Sequence, residues 1–250
     1  MSVEITRHGA VLHARIARPD SGNACSSQVM AILEEWLAAA HEPEVRTLVL
    51  TGTGRSFCAG ADLAEGTALL DDPPALRNFL GRGRDLVRAI STAPVPTIAA
   101  VNGAAYGGGL ELMLACDLAI AGRSATLGDR HLRVGQVPGW GSSAMLPTAV
   151  GQAWSRRLLL TAEALDAQQA ASIGLVTEVV DDDALQARAL TLAQSLAAAD
   201  PTAMARMLRL ARTPRDADPA WDLEWQVQTE HLAGQDAVAG ATSMERLRSD

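Results

Sequence analysis

Apolar residues recur along this chain with two periods, and the switches between them mark its elements. Over residues 3–18, polar and apolar positions alternate about His8-Gly9, which predicts a hairpin of two strands. A turn-rich stretch, Arg18-Pro19-Asp20-Ser21-Gly22-Asn23, comes next. Ser26 or Ser27 can then cap a helix running to about His41, with Met30, Leu33, Trp36 and Leu37 on one face. Residues 45–51 read as a β-branched strand closed by the turn Gly52-Thr53-Gly54. Residues 66–74 read as a polar, proline-containing loop, and 76–90 as a helix with Leu80, Leu86, Val87 and Ile90 inward.

The run that organises the rest spans 94–117, PVPTIAAVNGAAYGGGLELMLACD. Its prolines can stand only at a strand's start, and the apolar residues 95–101 predict a strand buried on both faces. After an Asn102-Gly103 turn and the triplet Gly107-Gly108-Gly109, the residues Leu110, Met113 and Leu114 take up a helical period. Short buried strands follow at 118–121 and 125–127, then helices at 142–150 and 152–161 broken at Gly151. A short helix over 166–173 ends at Gly174 and leads to a strand over 175–180. Asp181-Asp182-Asp183 suits a helix N-terminus, where carboxylates favour the dipole. Helices are expected over 184–199, 201–212, 221–232 and 236–248, with a loop at 214–219. Successive amphipathic helices cannot bury both faces on themselves. The expected division is therefore a core, 1–195, and a helical module, 196–250, packed on that core or on a neighbouring subunit through Trp221 and Trp225.

Composition narrows the function. The 250 residues suffice for one sizeable core, and with five Trp, two Phe and one Tyr it must be built mostly of Leu, Val, Ile and Ala. A net charge of −8 without a basic run disfavours nucleic acid as a partner. All 21 basic residues are arginine, which removes Schiff-base and P-loop lysine chemistry. Cys25, Cys58 and Cys116 lack CxxC spacing, which fits a reduced, cytoplasmic protein without a metal site. Residues 1–9 carry no signal pattern, and no apolar run is long enough to span a bilayer, so no membrane partner is expected. No serine lies in a G-x-S-x-G elbow, and the glycine triplet is not a dinucleotide fingerprint.

Consecutive glycines before a helix leave amide N–H groups free at its positive end, and Glu111 lies one turn inside. Free donors beside one carboxylate can hold an oxyanion and move a proton next to it. The segment 94–117 resembles a signature of the crotonase (enoyl-CoA hydratase/isomerase) superfamily, and 54–63, GRSFCAGADL, resembles the other. With 128–141, GDRHLRVGQVPGWG, the resemblance covers nearly the whole chain. It implies an α/β fold: a crotonase-like ββα spiral core, its strands in two roughly perpendicular sheets, with a C-terminal helical module. It also implies a homotrimer or dimer of trimers, and a CoA thioester as substrate with no separate cofactor.

By the same resemblance, the amides of Ala61 and Gly108 form the oxyanion hole, and Glu111 transfers the proton. Residues Asn23, Ala24, Cys25, Ala59, Asp62 and Leu63 lie where the family binds CoA. Gly139 matches a glycine whose amide helps hold the reacting water. Trp140 stands where a small residue is common, so it either narrows the acyl pocket or packs against the following helix. The family's second glutamate is matched by His131, which can accept a proton or simply line the pocket; Asp129, if strand geometry put it on the same face, could orient the ring. The family's basic, aromatic tail is matched only by SMERLRSD, where Arg246 or Arg248 could substitute or cap a solvated helix end. Implied reactions are hydration of a 2-enoyl-CoA, then isomerisation, decarboxylation or hydrolysis using Glu111 alone, then silent acyl-CoA binding.

Overall fold

In the computed structural model, which describes residues 2–212, 221–222, 225–226 and 228–230, strands feed two sheets in alternation. The larger sheet is ordered β1 (Val3–His8), β2 (Val11–Ile16), β3 (Thr47–Gly52), β5 (Thr97–Val101), β7 (Leu118–Gly122), β10 (Glu178–Val180). Only the β1–β2 hairpin in it is antiparallel; the other pairings are parallel. The smaller sheet is ordered β4 (Ser56–Cys58), β6 (Ala104–Tyr106), β8 (Thr126–Gly128), β9 (Leu165–Asp166), with β4, β6 and β8 parallel. Each pair β3/β4, β5/β6 and β7/β8 thus gives one strand to each sheet before the chain turns into helix. This repeats the expected ββα turn three times.

The pleat explains how the large sheet is covered. Leu48, Leu50, Ala99, Val101 and Ala121 face the main core with α1 (Ser27–Ala38), α3 (Pro73–Ser91) and α4 (Gly108–Ala115). Their neighbours Val49, Ile98, Ala100 and Ile120 face Leu185, Ala189 and Ala193 of α7 (Leu185–Ala197). With both faces covered, β3 and β5 are buried along their whole length, which is why they read as unbroken apolar runs. A fully buried Leu or Ile in such a layer contributes about 1.5–3 kcal/mol relative to exposure.

Caps set the helix starts. Ser26 is the residue that caps α1, its hydroxyl accepting from Val29 N. Two stretches differ from expectation. Residues 66–68 belong to a short helix, α2 (Leu63–Ala68), because the Asp62 carboxylate accepts from Ala64 N and Glu65 N and organises the turn. Asp181 and Asp182 do not enter the first turn of α7: Asp181 pairs with Arg123 and Asp182 accepts from Ser124 N, so the run fastens the β7–β8 turn instead. Helix α5 (Ser142–Thr161) kinks at Gly151 (φ 73°), as the sequence break implied, and α6 (Ala167–Ser172) opens on a capping box at Asp166. Among the described residues no helix is long and apolar enough to cross a membrane.

Helix α8 (Pro201–Arg212) is tied to the core at both ends. Arg46 donates to Ala199 O at 2.6 Å just before it, and Arg212 binds both oxygens of Asp117 at its last residue. Trp221 is buried and Trp225 half-buried, with Arg88 and Arg84 of α3 over their rings. The helix expected at 236–248, the loop at 214–219, and Arg246 and Arg248 lie outside the described residues.

One strand residue makes the fold acid-sensitive. Burial, reinforced by the charges of His8 and Arg15, lowers the His13 pKa from 6.5 to about 4. Above pH 6.5 the ring is neutral in both folded and unfolded chains; between 6.5 and about 4 the unfolded chain takes up the proton and the folded one does not. Stability should therefore fall across this window as pH drops, with a contribution of at most about 1.4 kcal/mol per pH unit. Urea unfolding compared at about pH 4.5 and about pH 7 should show a smaller loss for His13→Gln than for the parent.

Candidate active site

Three parallel strands of the small sheet end side by side, and the loop after each brings one part of the site. The loop after β4 carries Ala59-Gly60-Ala61, that after β6 carries Gly107-Gly108, and that after β8 carries Asp129 and His131. All of them, with Glu111, Gly139 and Trp140, line one cavity of about 310 Å³. Ligand crevices outside the carboxyl ends of parallel strands have this origin: neighbouring strands finish together and their loops diverge.

The first loop is pinned from behind. Cys25 N donates to Gly60 O at 2.8 Å, and Asp62 N donates to Cys25 O at 3.0 Å, a one-residue parallel bridge. In an extended segment successive amides alternate sides, so the Ala61 N–H faces away from Cys25. Gly108 is the first residue of α4, so its N–H is one of the helix's orphan donors. The two loops nearly touch: a Cβ on Gly60, whose φ is +109°, would lie 3.1 Å from Gly108 N. A Cβ on Gly109 would overlap the carbonyl of Cys58, so only glycine lets α4 start this close to β4.

Glu111 projects from the first turn of α4 and is 1% exposed. Its Oε1 accepts from Trp140 N at 2.9 Å and from Ser142 N at 3.0 Å, where α5 begins. Charge-assisted bonds from two amides at a helix N-terminus fix the carboxylate's direction. The Trp140 indole is buried against Gly83 of α3 and Gly108, and its Nε1 donates to Leu80 O at 2.9 Å. It therefore packs on α3 and the start of α4, while one side of it borders the cavity.

His131 opens a 3₁₀ turn (His131–Val134), preceded by Arg130 in the left-handed region (φ 59°). Residues 129–131 are thus not a strand, and the shared strand face expected for Asp129 and His131 does not exist. The turn brings them together anyway: His131 Nδ1 lies 3.0 Å from Asp129 Oδ1. Asp129 is 1% exposed. Burial alone would raise its pKa, but the His131 charge and hydrogen bonds overcome it and hold the carboxyl below its usual range. The Ser142 hydroxyl acts in the same sense, although neither Ser142 Oγ nor Asp129 Oδ2 reaches hydrogen-bond geometry with a described group.

Of the residues expected at CoA, Ala59, Asp62 and Leu63 line the cavity, whereas Asn23, Ala24 and Cys25 are buried behind the loop. Asn23 Nδ2 donates to Thr53 O and Ser56 O, and Asn23 Oδ1 accepts from Arg18 N, so this side chain braces the approach to β4. Asp62 is likewise fixed. Burial opposes its ionisation, but Arg18, which donates to Oδ2 at 2.8 Å, and the capping amides hold its carboxyl below the usual range. The sequence reading missed Phe79, Tyr106, Arg130, Arg133 and Gln228, which also line the cavity. Phe79 shares the inward helical face already recognised in α3; Gln228, buried against Gly139, comes from a stretch with no local signal.

The repeated ββα turns thus bring the Ala61 and Gly108 loops and the buried Glu111 carboxylate to one cavity. The sequence profile of the enoyl-CoA hydratase/isomerase family matches residues 6–248, and the chain belongs to that family. It is 39% identical over 210 residues to a probable enoyl-CoA hydratase of Mycobacterium tuberculosis, covering 84% of this chain and 78% of the relative. It is 36% identical over 202 residues to the mitochondrial methylglutaconyl-CoA hydratase of Mus musculus, covering 78% of this chain and 63% of that protein's length. The crystal structure of an enoyl-CoA hydratase/isomerase from Pseudoalteromonas atlantica superposes with a TM-score of 0.87 at 33% identity, over 98% of this chain and 97% of the other.

The contact between Gly109 and Cys58 sets a stability test. Gly109→Ala should lose roughly 1–3 kcal/mol or more by forcing α4 away from β4. A urea midpoint equal to the parent's would show that the two elements separate freely.

Proposed function

We propose that the protein adds water across the double bond of a 2-enoyl-CoA to give a 3-hydroxyacyl-CoA. The observation that carries this reading is the convergence on one cavity of the Ala61 and Gly108 loops with Glu111. The thioester oxygen accepts from the two amides, and Glu111 takes a proton from water as its oxygen bonds to the β-carbon. The enolate that forms is the species the two amides stabilise; one such donor is typically worth on the order of 100–1,000-fold in turnover. Membership of the family and the names of the two hydratase relatives support the reaction class.

Ala59, Asp62 and Leu63 at the cavity mouth suit the pantetheine and nucleotide parts of the substrate. The Trp140 wall suits a compact acyl group. Assembly as a homotrimer or dimer of trimers is supported by Met207 and Leu210, large apolar side chains 60% and 67% exposed on α8. A cytoplasmic location fits the three free cysteines. Double-bond isomerisation of a 3-enoyl-CoA is the second reading, favoured by His131 lying where a hydratase would carry its second carboxylate.

Glu111→Gln should lower crotonyl-CoA hydration, followed by loss of the conjugated enoyl absorbance, by about 100- to 10,000-fold. Parental activity in that variant would remove Glu111 as the proton carrier. Turnover of a 3-enoyl-CoA without turnover of crotonyl-CoA would select isomerisation.

A further inference from the structure

We infer that the acyl group this site takes ends in a carboxylate, held by Arg130 and Arg133 on the side of the cavity away from CoA. The inference deepens the reading above and rests on it for where the thioester lies.

The order of the strands sets the order of the subsites. In the small sheet β4, β6 and β8 are parallel and adjacent in that order, so the loops at their C-terminal ends stand in one row. The β4 loop bears Ala59, Asp62 and Leu63, placed at CoA above. The β6 loop bears Gly108, and the β8 loop bears Arg130 and Arg133. A thioester oxygen between Ala61 and Gly108, with CoA over the β4 loop, directs the acyl group toward the β8 loop. Neighbouring strands lie about 4.8 Å apart, so the row is about 10 Å across, the scale of a short acyl chain. Its hydrocarbon part meets Phe79 and Trp140, and its end meets the arginines.

The charges in the cavity are matched everywhere except at that end. Asp62 pairs with Arg18 at 2.8 Å, Glu111 accepts from two amides, and Asp129 lies against His131. Among the described residues, Arg130 and Arg133 are the arginines that line the cavity, and neither makes an ion pair. Carboxylates are in excess in this chain, 29 acidic residues against 21 basic, and Arg82, Arg157, Arg188 and Arg212 each find one. Two arginines left unmatched at one cavity concentrate positive potential there, in a protein whose net charge of −8 repels anions elsewhere.

Both side chains are placed by contacts that use little of their donor capacity. The Arg130 guanidinium lies over the Tyr106 ring, 4.7 Å from its centroid, and stacking leaves the N–H groups at its edge free. Tyr106 is itself held, its hydroxyl 2.7 Å from Thr126 Oγ1. Among the described residues, Arg133 gives only its Nε to the protein, in a long 3.5 Å bond to Ala162 O. The remaining N–H groups form the fork that fits the two oxygens of a carboxylate. Arg130 is half-buried and Arg133 exposed, so water competes for these donors and the preference they give is moderate.

The test measures a ratio on the full-length chain. Hydration of glutaconyl-CoA is compared with that of 2-pentenoyl-CoA, and 2-hexenedioyl-CoA with 2-hexenoyl-CoA; each pair differs in ending in a carboxylate or a methyl group. In the parent, kcat/KM should favour the carboxylate in at least one pair by about 10-fold or more, the low end for a hydrogen bond to a charged group. Arg130→Gln combined with Arg133→Gln should abolish most of that preference. Because both substrates report on the same enzyme, the ratio does not depend on how much of the variant folds. A parent without preference in either pair would overturn the proposal. So would a preference that survives the double substitution while both rates fall alike, which would place the arginines on the phosphates of CoA.

Binding needs no turnover. By calorimetry the parent should hold glutaryl-CoA more tightly than pentanoyl-CoA, and added salt should narrow the gap. Equal Kd values for the two would overturn the proposal. A parent that hydrates none of the enoyl-CoAs, yet binds glutaryl-CoA the more tightly, would overturn the hydratase reading and leave the carboxylate subsite standing.

Discussion

Everything in the site depends on how closely helix α4 approaches strand β4. Gly109 sits against the carbonyl of Cys58, and Gly60 sits against the amide of Gly108. Neither approach tolerates a side chain. Because β4 and β6 are parallel neighbours, their C-terminal loops emerge together, and this contact holds the Ala61 and Gly108 loops side by side on one cavity. Cys25 and Asn23 act as the backing that stops the β4 loop from relaxing.

The charges around the cavity follow one rule: each carboxylate that loses water gains fixed donors. Glu111 has the amides of Trp140 and Ser142, Asp62 has Arg18 and the first turn of α2, and Asp129 has the ring and main chain of His131. For Glu111 and Asp62 these partners include residues of other elements, so those two charges also tie two parts of the chain together. Trp140 shows the same economy. Its amide aims Glu111, its indole nitrogen fastens the turn to α3 at Leu80, and its ring fills the space beside Gly108.

The described residues after α7 are fastened to the rest of the chain by arginines set against carbonyls, a carboxylate and indoles. Arg212 reaches Asp117, which also accepts from the backbone and hydroxyl of Thr97 at the start of the central strand β5. Arg84 and Arg88 lie over Trp225 and Trp221, and Gln228 reaches Gly139 at the cavity. The exclusive use of arginine suits these contacts: a planar guanidinium stacks on an indole and forks across a carboxylate, which an ammonium does not do as well.

What the sequence determined by itself was whatever depends on local period and on residues with a single backbone use. Buried strands declared themselves as unbroken apolar runs, helices by their inward faces, breaks by Gly151 and Gly174, and the tight start of α4 by clustered glycines before Glu111. The tertiary structure decided whatever depends on a partner distant in the chain. The aspartate run after β10 looked like a helix start and became an anchor for Arg123 and Ser124, because those donors are distant in sequence and adjacent only across the β7–β10 pairing. Trp140 could have packed anywhere until α3 presented Gly83 and the Leu80 carbonyl. Asp129 and His131, two residues apart, met only because Arg130 turned left-handed, and neither period nor composition encodes a backbone sign that the surrounding fold imposes.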